Sequence, residues 1–118
     1  MSIIANVIVG LIAVLHIYFL ILEMFLWDKP AGRRVFRQSR EAAAASKVLA
    51  ANQGLYNGFL AAGLIWGLLL GEAGTSVKVF FLSCVLIAGL FGAATVSRKI
   101  LFVQAIPAAI GLALVLLS

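Results

Sequence analysis

The sequence predicts an all-α protein, a four-helix transmembrane bundle with both termini non-cytoplasmic. Three observations carry that expectation. Residues 3–27, 48–71, 76–97 and 100–117 are predominantly apolar. Runs of roughly 20 such residues are stable in hydrocarbon only as helices, because nothing there hydrogen-bonds to open backbone. Hydrophobic residues make up 64% of the chain and charged ones only 11%, too few to cover a soluble domain of 118 residues. Lys29, Arg33, Arg34, Arg37, Arg40 and Lys47 follow the first run, and Arg98 and Lys99 follow the third. The opposite side carries Lys78, offset by Glu72. Basic flanks mark the cytoplasmic side. The expectation is one four-span domain over residues 1–118, multi-pass in a cell membrane, with a bacterial inner membrane as its setting.

The first span has no Lys or Arg before its apolar run, which ends in Phe25, Leu26 and Trp27. A secretory leader would show a basic start, a shorter apolar core and a small-residue cleavage site, so this is read as a retained span anchored by Trp27. In the connector, Pro30 and Gly32 indicate a bend. Its arginines fix topology and touch anionic lipid, and the net charge of +5 is assigned to headgroups, with no nucleic acid as partner.

The second span begins ahead of the bilayer. Ser39 is an N-cap, Glu41 suits the positive helix end, and Ala42–Ala45 is strong helix former. A helix over residues 40–71 would be about 48 Å long, against a hydrocarbon core of about 30 Å. Gly54 with Gly58, and Gly63 with Gly67 and Gly71, place small residues on shared faces where helices approach closely. Residues 71–74 make a short outer turn. Gly89 and Gly92 form a weaker pair in the third span, and Ser97–Lys99 force a hairpin into the fourth. There Pro107 removes a donor and leaves the Val103 carbonyl free or weakly paired. Cys84 has no intrachain partner and reads as a small buried thiol.

The candidate site comes from polar residues at one depth. His16 and Glu23 are seven apart and share a helix face. Counting inward from the cytoplasmic edge puts Glu23 level with Asn52, Gln53 and Gln104 at about 6–9 Å. His16 falls level with Tyr56 and Asn57 at about 14–16 Å. Arg34 and Arg40 stand above, able to grip a phosphate or carboxylate, while Glu23 could instead pair with Arg33, Arg40 or Lys47 at the rim. The ordinary alternative is that the amides and Tyr56 only bond helices together. One His, one nearby acid and no thiol cluster give no metal site, and no cofactor is implied.

The stretches HIYFLILEMFLW (His16–Trp27), NQGLYNG (Asn52–Gly58) and GLFGAAT (Gly89–Thr95) together resemble small bacterial membrane proteins catalogued as domain of unknown function 1304. The resemblance covers essentially the whole chain. It implies a four-helix membrane fold and no activity. In layout the chain is also similar to membrane-associated proteins in eicosanoid and glutathione metabolism. Lys47 and Asn52 stand like that family's basic residue and Asn on its second helix, whereas Leu55 stands where it carries Glu. This second likeness implies a trimeric membrane enzyme.

Three function classes follow. The preferred one is binding or transport of a lipid-like, small hydrophobic or amphiphilic molecule at the polar cytoplasmic-leaflet pocket. The second is a membrane enzyme using Glu23 or His16 as acid or base, with Arg34 or Arg40 holding an anionic group. The third is a structural or interaction protein with no ligand. Membrane lipids are partners in each, and several small-residue faces imply a homo-oligomer.

Overall fold

A computed structural model describes Ser2–Ser118, with side-chain environments from Ile3 onward. All regular structure among these residues is helical. The order is α1 (Ser2–Met24), α2 (Pro30–Phe36), α3 (Arg40–Leu69), a 3₁₀ turn (Gly71–Gly74), α4 (Thr75–Thr95), a π-helical turn (Leu101–Ala105) and α5 (Ile106–Leu117). Among the described residues, two helical segments are long and apolar enough to cross a membrane, Ile3–Met24 and Gly71–Thr95. Leu101–Leu117 is apolar but shorter. α3 has ample length, but Asn52, Gln53, Tyr56 and Asn57 dilute its apolar character.

Contacts group the chain into two units, Val14–Ala61 and the remainder; α1 and α3 contribute residues to both. Within Val14–Ala61, α1 and α3 run antiparallel. Successive contacts pair Asp28 with Lys47, Trp27 with Ser46, Glu23 with Gly54 and Leu20 with Gly58. A Cβ on Gly54 would lie 2.6 Å from Met24 Cγ and 3.0 Å from Glu23 Cβ, so the missing side chain is what lets α1 sit there. Ser39 caps α3 as the sequence predicts, its Oγ accepting from the Ala42 N–H at 3.1 Å.

The connector differs from the expected bend. Pro30 opens a seven-residue helix, a favourable first position because its missing N–H is one that no helix uses. α1 stops at Met24, three residues short of the predicted boundary, and the chain turns before α2. Trp27 then packs on Phe36, ring centroids 4.7 Å apart, and donates from Nε1 to Ser46 Oγ at 3.0 Å.

In the other unit, α3 and α4 form a hairpin in which Gly63 faces the Phe81 ring and Gly67 faces the Lys78 stem. Gly71 departs from the predicted packing series. It has φ +62° with nothing within 4 Å of a built Cβ, so it serves the turn and not a seam. α4 closes on the π turn through Gly89 and Ala105. The turn stands just ahead of Pro107: the Ile106 N–H bonds to the Leu101 carbonyl, an i→i−5 register that ends at the residue before the one lacking a donor. Leu64, Leu82, Val85 and Ala108 are fully buried here.

Candidate functional site

The buried face of α1 includes Ala5, Val9, Ile12, Ala13 and His16, spaced as one helical stripe, and Leu22 and Glu23 about two turns further on. Its lower part carries the polar members. His16 is 0% exposed and Glu23 4%, so neither reaches the surface of the chain. Asn57 donates from Nδ2 to Glu23 Oε1 at 2.5 Å. His16 meets the Phe19 ring edge-on, centroids 5.4 Å apart.

The predicted levels therefore need correction. Depth counting set Glu23 beside Asn52 and Gln53, and Asn57 beside His16. The backbone opposite Glu23 is Gly54, only one or two residues away from that prediction. Facing decides the rest, because Asn52 and Gln53 are exposed whereas Asn57 is buried. Side chains on a helix lean towards its N-terminus. On antiparallel helices Glu23 and Asn57 consequently lean towards each other and close a gap of nearly one turn.

The remaining candidates divide by environment. Tyr56 is 60% exposed, Arg34 and Arg40 are exposed, and Gln104 lies half-buried in the π turn of the other unit. Lys47, a possible rim partner for Glu23, pairs instead with Asp28 at 3.1 Å. That contact holds the Asp28 carboxyl below its usual range, first through the hydrogen bond from Lys47 and then through its charge. The connector arginine with a distinct environment is Arg33, whose buried Nε has no hydrogen-bond partner among the described residues. Chemically, Glu23 and Asn57 offer acceptor oxygens and an amide in a sheltered place. Among the described residues, no group of three or more His, Cys, Asp or Glu gathers to hold a metal.

Comparison with known proteins agrees with the motif reading. A family profile described as "Protein of unknown function (DUF1304)" matches residues 10–116. The chain belongs to the DUF1304 family. It is 30% identical over 106 residues to the uncharacterized protein YpaA of Lactococcus lactis subsp. lactis (strain IL1403), a match spanning 88% of this chain and 89% of that one. No solved structure matches. The looser likeness to eicosanoid and glutathione proteins finds no support in these matches.

Sequence reading of this DUF1304 member passed over two residues that the structure pairs. Asn6 was absorbed into the first apolar run, and Lys78 was counted as a flanking charge. Lys78 is 7% exposed, and its Nζ donates to Asn6 Oδ1 at 3.0 Å. The available signal was a polar residue inside each of two apolar runs, three residues past the start of the first and two past the start of the third.

Proposed function

We propose that this protein is a four-span integral membrane protein that binds or transports a lipid-like or small hydrophobic molecule in the cytoplasmic leaflet, with both termini outside. The observation that carries the reading is the buried Glu23–Asn57 pair. Ionisable side chains inside a span are costly and occur where they serve a pathway or ligand. A carboxylate has about four acceptor positions, and one amide N–H leaves room for a hydroxyl or amide of a bound amphiphile. In this arrangement Arg34 and Arg40 stand at the headgroup level to meet an anionic end.

Four spans are the economical reading because α3 is long enough and the segment from Leu101 to Leu117 continues the helix begun at Lys99. The exposed Asn52, Gln53 and Tyr56 lie on a span that hydrocarbon would surround, which favours a homo-oligomer covering them.

Native mass spectrometry of the full chain in nanodiscs made from its host lipids tests the ligand and the assembly together. Expected are oligomers with a small molecule bound in stoichiometric amount, and its loss in Glu23→Gln. An unchanged small-molecule complement in Glu23→Gln leaves the pair a structural role only. Monomers alone, at membrane-like concentrations, refute the assembly.

A further inference from the structure

A second polar cluster gathers residues from both ends of the chain, with Asn6 from α1 and Glu72, Thr75, Lys78 and Ser118 from the later part. Near the start of α4, a cavity of about 480 Å³ is bounded by Asn6, Glu72, Thr75, Lys78 and Ser118, with Ala5 and Val115 among its apolar walls. This volume falls within the usual range of small-molecule sites, about 300–1,000 Å³. Lys78 is the cation of this lining. Its stem runs against Gly67, where a built Cβ would come within 2.7 Å of Lys78 Cγ, so the backbone makes space for the lysine to lie inward.

Among the described residues the Lys78 ammonium has no directly paired carboxylate. Its ammonium has three donors, and among the described residues its hydrogen bond is to the neutral Asn6 amide. Among the same residues no carboxylate lies within ion-pairing reach; the observed pair is Lys47 with Asp28. Glu72 borders the cavity but is exposed, and a buried ammonium without a counter-ion is costly. The hydroxyls of Thr75 and Ser118 donate to the carbonyls of Glu72 and Leu114, which leaves the Lys78 ammonium and the Asn6 amide N–H groups as the side-chain donors for a guest.

We infer that this cavity is an anion site, in which Lys78, oriented by Asn6, takes a carboxylate or phosphate group of a small molecule or lipid headgroup. The apolar walls accept the carbon part of such a guest. Glu72 at the border disfavours multiply charged guests, so a monoanion fits best. In the proposed topology this site opens on the side opposite the basic connector.

The test measures binding of radiolabelled butyrate, a monoanion with a short apolar tail, to the full chain in phosphatidylcholine nanodiscs. Saturable binding is expected, weakened about tenfold or more in Lys78→Met, as for loss of a charge-assisted bond, and largely retained in Lys78→Arg. Should Lys78→Met fail to fold, Glu72→Gln at the exposed border decides the matter. It should tighten binding about twofold. Competition by added phosphatidylglycerol would identify a headgroup as the occupant, and undiminished binding a soluble anion; both fit the site. Absent saturable binding, wild-type affinity in a folded Lys78→Met, or unchanged affinity in Glu72→Gln overturns it.

Discussion

Two carboxyl groups illustrate how residue identity and residue environment part company. Asp28 lies in the connector and accepts a hydrogen bond from Lys47, which lowers its pKa. A group depressed on folding adds stability above its unfolded pKa, and that contribution disappears as pH falls through the lower folded value. Carboxyl NMR titration should therefore give a lower Asp28 midpoint in the wild type than in Lys47→Met. Equal midpoints would show the contact to be absent in solution. Glu23 has a different kind of partner. A double-mutant cycle of Glu23→Leu and Asn57→Leu, read by unfolding in mixed detergent, should return a coupling of about 0.6 kcal/mol and at most about 1.7, as for hydrogen bonds between helices in a membrane. Additive effects would mean that the bond contributes nothing. That Glu23 and His16 face inward was legible from the seven-residue spacing. The choice of Asn57 over Gln53 was not, because a one-residue step rotates a helical side chain by about 100° and reverses its burial.

At the level of elements, the glycines separate into two classes that look alike in sequence. Gly54 lies under α1, whereas Gly71 turns the chain with nothing nearby. Gly71→Ala should cost about 1–2 kcal/mol through its left-handed φ alone, without altering helix packing. Gly54→Leu should cost about 1–3 kcal/mol by overpacking and should also disturb the Glu23 contact. Unfolding in detergent, paired with crosslinking between Leu20→Cys and Gly58→Cys, distinguishes the two. A Gly71→Ala variant as stable as wild type would remove the strain argument. Helix positions were largely readable from apolar runs and from the Ser39 cap, since both are local signals. The α2 helix was not, because Pro30 and Gly32 carry the same signature as a loop, and the helix is held by non-local contacts, Gly32 against Leu26 and Phe36 against Trp27.

For the molecule as a whole, Lys and Arg distribution sets the expected topology. Single cysteines replacing the exposed Ser39 and Ser118, in a Cys84→Ala background, should react from opposite faces of intact cells. Labelling of Ser39→Cys from outside by an impermeant reagent refutes it. The all-helical fold was legible along most of the chain, because apolar runs recur through its length. The Lys78–Asn6 pair was not, since it joins positions 72 residues apart and neither residue announces the other. The π turn at Leu101–Ala105 has a last consequence, for chains related to this one. It takes up one residue more than α-helical pairing would use, immediately ahead of Pro107. A relative without a proline at this point can shed that residue and keep everything beyond it in phase. A relative that keeps the proline but sheds the residue would turn its last helix by about 100°, swinging the counterparts of Ala108, Gly111 and Val115 off the buried face. Single-residue gaps should therefore gather at this turn and travel with loss of the proline, a rule that any aligned set of relatives can break.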